Sequence, residues 1–245
     1  MVGRFLGFAP QSFEFFRELA KHNYKGWFDA HRELYDAYVT GAMRGLLAEL
    51  EPFLLELNPN FETSGKTNGN FSRINRDIRF SKDKSPYKSN YYLRVYDAQR
   101  SHQTDGCLYV GLSADAVTVG FACYGAWGKG EKSVLDTVFR PRFASHRTMF
   151  DGLLERVVGK GRYETYWHRQ EKKEWAQHAG LPRRDDDWQT LQAWVVRKVF
   201  TPESREVGSP KFAAKVQAIF RGLYPLYVFT SVTRPEWQRN LRALA

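Results

Sequence analysis

Apolar residues recur at helical spacing through the first sixty positions, and then the period changes. Phe13, Phe16, Leu19 and Ala20 share one helical face, with Asn23 as the stop. A second helix starts near Lys25 and aligns Trp27, His31, Tyr35 and Tyr38 in one stripe. A third carries Met43, Leu46, Leu47, Leu50, Phe53, Leu54 and Leu57. Pro52 lies inside that run and predicts a kink or break, because proline removes a backbone donor and crowds the preceding turn. Asn58-Pro59-Asn60 ends it.

From Phe71 the period becomes two. Ser72, Ile74, Arg76, Ile78 and Phe80 fall on one face of a strand, and Arg73, Asn75, Asp77 and Arg79 on the other. Residues 91–96, 107–112 and 117–124 are also strand-like, and Ser113-Ala114-Asp115-Ala116 reads as a hairpin turn between the last two. Beyond Gly125 helical spacing returns at 142–157, 169–179 and 210–223, with a short terminal helix at 235–244 and a further strand at 191–200. There is no repeat period and no low-complexity linker. Together these elements predict an α+β fold: an antiparallel sheet from residues 71–125 and 191–200, packed with N-terminal and C-terminal helices in a single domain, 1–245.

Composition narrows the class. With 42% apolar residues in 245, the chain can bury a core, and disorder is excluded despite a net charge of +10. No apolar run approaches the ~18 residues that a membrane helix needs. The opening MVGRFLGFAPQSFEFF has no continuous apolar stretch, so it reads as mature protein and predicts a cytoplasmic location. Two cysteines exclude a disulfide framework. The charge is uneven. Residues 66–100 hold nine Lys/Arg against three Asp/Glu, a net of +6, whereas residues 1–65 hold six against nine.

That basic focus coincides with FSRINRDIRFSKDKSPYKSNYY at 71–92, which reads as two strands joined by a loop at 81–89. Arg73, Arg76 and Arg79 offer planar forks for carboxylate or phosphate, and Lys82, Lys84 and Lys88 add point charges. Tyr87 is placed to stack on a ligand or donate its phenol, and Tyr91, Tyr92 and Tyr96 follow closely. A basic hairpin interleaved with aromatics suits a phosphate-bearing ligand, either a nucleotide or a nucleic-acid strand. The same residues also suit a network in which Asp77, Asp83 and the glutamates of 49–62 neutralise the arginines. Both readings stand on the spacing.

Ser72-Arg73, Arg76-Asp77 and the run Arg79-Phe80-Ser81-Lys82-Asp83-Lys84-Ser85-Pro86-Tyr87-Lys88 resemble the signature of the family called domain of unknown function 2461. Gly7-Phe8, Phe15, Leu19, Asn23, Trp27-Phe28, Arg32 and Tyr35 follow its opening pattern, and Tyr224-Pro225-Leu226 its final helix. The resemblance implies one compact α+β domain in a mainly bacterial, soluble family, and it assigns no reaction, cofactor or catalytic residue. It lapses at 160–190, where Leu181-Pro182-Arg183-Arg184 leads into Asp185-Asp186-Asp187-Trp188.

Other candidates have bland alternatives. Glu174 and His178, four apart on the expected 169–179 helix, have a chelating spacing but read as part of a solvated charged face. Asp185–187 reads as a charged turn or helix cap. Cys107 and Cys123 read as small buried apolar groups. GAWGKGEK at 125–132 lacks a phosphate-loop ending and reads as a flexible loop or lid. No metal or cofactor is expected. The leading functional expectation is a phosphate- or polyanion-binding module. One alternative is a hydrolase or transferase acting on a small anionic substrate, with His31 or Asp77 handling protons. The other is an interaction protein that docks an acidic partner.

Overall fold

The computed structural model describes residues 3–79, 81–100, 105–125, 132–171, 174–232 and Trp237. Its sheet is built from β1 (Asn90–Val95), β2 (Cys107–Ser113), β3 (Val117–Tyr124), β4 (Glu164–Glu171), β5 (Glu174–Ala179) and β6 (Ala193–Phe200). The six strands are antiparallel and lie in the order β1-β2-β3-β6-β4-β5. Ser113 donates its backbone N–H to the Ala116 carbonyl at 3.0 Å, closing the expected β2–β3 hairpin. β1 alternates, with Tyr91, Leu93 and Val95 buried and Asn90, Tyr92 and Arg94 half-buried. β2 is buried at every position to Leu112, which is why its sequence is an apolar run without alternation. The α+β expectation is therefore met, including the strand at 191–200.

The helices are α1 (Pro10–Lys21), α2 (Lys25–Ala30), α3 (Arg32–Leu34), α4 (Gly41–Leu57), α5 (Arg140–Ser145), α6 (Arg147–Val157), α7 (Asp185–Thr190) and α8 (Phe212–Ser231). A widened π turn over Tyr35–Thr40 leads into α4, and Gly41 N–H bonds the Asp36 carbonyl five residues back. A Cβ on Gly41 would sit 2.8 Å from that carbonyl oxygen, which accounts for glycine there. α4 runs unbroken through Pro52, so the expected break is absent. The apolar face that α4 buries, from Met43 to Leu54, holds the helix together across the lost hydrogen bond.

Two further expectations are corrected. The helix expected at 169–179 is instead the β4–β5 hairpin, with Trp167 opposite His178 and Glu171 opposite Glu174. Strand rise of about 3.3 Å per residue separates Glu174 from His178 by roughly 13 Å along β5, so the two cannot chelate from one helical face. The segment 142–157 is two helices, because His146 (φ −135°) leaves the helical region between α5 and α6. The terminal helix at 235–244 apart from Trp237, the lid reading of 126–131 and Phe80 lie outside the described residues.

Two compact units can be distinguished. The first comprises residues 1–95, 110–118 and 199–217, and its core includes Phe13, Phe16 and Leu19 of α1 with Leu46, Leu50 and Leu54 of α4. The second comprises 96–109, 119–198 and 218–245. Its core is an aromatic cluster in which Phe150 lies 4.9 Å from Trp188, 5.9 Å from Trp194 and 5.0 Å from Phe229, measured between ring centroids. Cys107 and Cys123 are buried thiols that form no disulfide, and burial pushes Cys123 well above the ordinary thiol range.

Candidate functional site

The basic segment lies in the first unit, where side chains take over part of the ladder. Arg76 N–H bonds the Pro86 carbonyl and Lys88 N–H the Ile74 carbonyl, each at 2.8 Å. Ser72 N–H bonds the Tyr92 carbonyl at 3.0 Å, but Tyr92 N–H returns to the Ser72 hydroxyl, also at 3.0 Å, where a strand would offer a carbonyl. Asn70 does the same further on, its amide donating to the Arg94 carbonyl at 2.9 Å and the Glu62 carbonyl at 2.6 Å. The first strand of the expected hairpin is therefore an irregular segment with isolated bridges, Phe71 to Leu93 and Asn75 to Tyr87. Its alternation nevertheless survives. Ser72 and Ile74 are buried and Arg76 and Ile78 half-buried, while Arg73, Asn75, Asp77 and Arg79 are exposed.

Asn23, two residues beyond α1, anchors the loop. Its amide donates to the Tyr87 carbonyl at 3.0 Å, and its carbonyl accepts the Tyr87 N–H at 3.0 Å. The Tyr87 ring stacks on Phe28 of α2, with centroids 4.2 Å apart, and is buried. Phe28 thus occupies one face of the Tyr87 ring, and Tyr87 also lines the cleft described below. Tyr91 and Tyr96 are buried too.

Around this anchor the charges sort into two groups. Arg79 forks Asp77 through Nε–Oδ1 (2.9 Å) and Nη2–Oδ2 (2.7 Å), and that pair holds the Asp77 carboxyl down at about 2. Arg76 is paired with Asp83, whose carboxyl lies well below the usual range chiefly through that hydrogen bond. Lys84 Nζ donates to the Ile78 carbonyl at 3.0 Å, and Lys82 is exposed to solvent. The network reading therefore describes Arg76 and Arg79.

Lys88, Arg73 and Arg94 differ. Among the described residues no carboxylate pairs with any of them. Lys88 is half-buried, and burial first, then the neighbouring Arg94 and Arg73 charges, push its amine below the ordinary lysine range. Lys88 also lines a cleft of about 550 Å³ together with Asn23, Arg76, Asp83, Ser85 and Asn90. Arg94 was absent from the candidates read from sequence. Its signal was its parity, since it alternates with Lys88, Asn90 and Tyr92.

The proton-handling candidates lie apart from this group. Asp77 is engaged by Arg79, and neither Asp77 nor His31 lines the cleft. His31 stacks on Trp27 (4.1 Å) and turns Nδ1 to the Trp27 carbonyl at 2.8 Å. Elsewhere, Asp187 in the first turn of α7 accepts from Arg184 and Arg169, in line with the cap reading of 185–187. His178 Nε2 lies 3.1 Å from Glu171 across the β4–β5 hairpin. No cluster of three or more His, Cys, Asp or Glu able to hold a metal occurs among the described residues. No helix among them is long and apolar enough to cross a membrane.

A family model described as a conserved hypothetical protein (DUF2461) matches residues 11–229. No curated protein matches the chain.

Proposed function

We propose that this chain, which belongs to the DUF2461 family, binds a small phosphate-bearing ligand through Lys88, Arg73 and Arg94, with the adjoining cleft holding the rest of the molecule. One observation carries the reading: the half-buried Lys88 amine is pushed down by burial and by the charges of Arg94 and Arg73, and no carboxylate among the described residues forms an ion pair with any of the three. An anion relieves that repulsion, and guanidinium forks with an ammonium match the oxygens of a phosphate group. The cleft of about 550 Å³ falls in the ~300–1,000 Å³ range of small-molecule sites. That supports a nucleotide-sized ligand over a nucleic-acid strand. We infer a cytoplasmic location from the two cysteines held as thiols, because oxidising compartments favour disulfides.

Calorimetric titration with inorganic phosphate and with a nucleoside diphosphate tests the proposal. Loss of one charged hydrogen bond to phosphate costs ~1.5–3 kcal/mol, so Arg94→Ala and Arg73→Ala should each weaken binding by about tenfold or more. Arg79→Ala should leave affinity nearly unchanged, because that side chain is already forked on Asp77. Equal affinity in the wild type and an Arg73→Ala/Arg94→Ala double variant would overturn the reading.

A further inference from the structure

Arg76 is ion-paired with Asp83, yet both side chains line the same cleft as Lys88. The described lining of that cleft therefore carries two cations and one carboxylate, and Arg73 and Arg94 are not among its described residues. A ligand whose phosphate is held at Lys88 and whose remainder enters the cleft thus meets a guanidinium that already carries an anion. The two partners of the pair are anchored unequally. Arg76 donates its backbone N–H to the Pro86 carbonyl at 2.8 Å and Nη2 to the Ser81 hydroxyl at 3.4 Å, and its side chain is 27% exposed. The Asp83 side chain is 59% exposed, and its Oδ1 accepts the N–H of Ser85, two residues on, at 2.9 Å. An ion pair this open to water contributes little to stability, because solvent screens it. Its carboxylate can therefore turn outwards and stay solvated while the guanidinium keeps its place.

We infer that Asp83 stands where a carboxylate of the ligand binds, and that the ligand is a phosphorylated carboxylic acid whose own carboxylate displaces Asp83 from Arg76. The inference rests on the anion-binding reading for the phosphate end of the molecule. A guanidinium fork takes the two oxygens of a carboxylate in its plane, so the ligand's group and the Asp83 carboxylate compete for the same donors. With Asp83 turned outwards, Arg76 and Lys88 face the ligand without an opposing carboxylate, which suits a molecule with two anionic groups rather than one. A ligand with a hydroxyl in place of the carboxylate cannot make this exchange, because a neutral group does not offset the loss of the ion pair with Arg76.

Calorimetric titration of the intact chain with phosphoglycerate and with glycerol phosphate tests this. Each is phosphorylated on a terminal hydroxyl, and they differ by a carboxylate in place of a hydroxymethyl group. Wild type should bind phosphoglycerate severalfold more tightly. Asp83→Asn, which keeps an acceptor for the Ser85 N–H, removes the competing charge and should widen that ratio by about two- to fivefold. Arg76→Gln should bring the two ligands to equal affinity while still binding glycerol phosphate, which also shows that the variant is folded. Asp77→Asn, outside the described lining of the cleft, should leave the ratio unchanged. A gain on Asp83→Asn that is the same for both ligands overturns the inference, since it reports only the removal of a negative charge. Equal affinity for the two ligands in wild type and in Asp83→Asn, with inorganic phosphate still bound, overturns the carboxylate and leaves the anion-binding reading standing. No binding of either ligand or of inorganic phosphate overturns that reading and the inference with it.

Discussion

Replacing Asp105 by Asn should change how stability depends on pH. Asp105 is 1% exposed in the second unit. Its Oδ2 accepts the Tyr227 hydroxyl at 3.0 Å and the Asp97 N–H at 3.2 Å, while Oδ1 is buried without a hydrogen bond and the nearest guanidinium nitrogen, from Arg100, stands 4.0 Å away. Burial outweighs these contacts and raises the carboxyl to about 6. An unfolded aspartate titrates near ~3.9, so two units at ~1.4 kcal/mol each give roughly 3 kcal/mol. The folded-state value is the raised one. Asp105 therefore contributes its full stability below pH ~4, loses it as pH rises towards about 6, and contributes a constant penalty above that. Asn presents a neutral group of the same shape at every pH. Urea unfolding of wild type and Asp105→Asn at pH 4, 5, 6 and 7 isolates the effect in the difference between the two midpoint curves. That difference should move in favour of the variant by roughly 3 kcal/mol across the window. Parallel curves would show that the carboxylate is solvated or paired in the folded state and would refute the reasoning.

Further outcomes follow from single contacts. Asn23→Ala removes both bonds to the Tyr87 backbone, so it should cost about 1–2 kcal/mol in urea unfolding and speed proteolysis within 76–89. Phe150→Ala empties the centre of the aromatic cluster and should cost about 3–5 kcal/mol by the same measurement. Gly7 has φ +99°, and a Cβ there would lie 2.4 Å from the Gly208 backbone; Gly7→Ala should therefore lower the melting temperature by several degrees, whereas Gly3→Ala, with open space around it, should not. Asp77→Asn removes an exposed pair and should leave the melting temperature unchanged, which thermal unfolding at neutral pH can check.

Much of the fold was readable where a face is half-covered or where turn chemistry is local. Val117–Tyr124 matches its expected strand residue for residue, because Val117, Val119, Phe121 and Cys123 carry the period and the first three also the β-branched or aromatic bulk that a sheet favours. The 169–179 segment failed because two periods compete there. His168, Glu171, Glu174 and His178 satisfy a helical charge spacing, whereas Thr165, Trp167 and Arg169 alternate with neighbours in β4. Cross-strand partners, such as Trp167 stacked on His178 at 4.3 Å, decide between the periods, and no local window contains both strands of that pairing. Pro52 misled for a related reason. Its local cost is real, but the buried face of α4 extends on both sides of it.

The candidate site was legible as a face but not as a charge balance. Period two correctly separated Arg73 and Arg79 from Ser72 and Ile74, yet it gave both arginines the same role. What divides them is Asp77, which forks Arg79, and Lys88, whose amine feels the charge of Arg73 together with that of Arg94 on β1. Residues 73 and 88 are fifteen positions apart, and the segments that carry them are joined by the Lys88 N–H bonded to the Ile74 carbonyl at 2.8 Å. A spacing rule has no access to such a contact. The +6 of residues 66–100 therefore overstates the useful charge in one place and hides it in another. The exposed fork of Arg79 is held by the adjacent aspartate, and the proposed anion site turns instead on the least conspicuous lysine of the run, the one whose burial makes its charge hardest to keep.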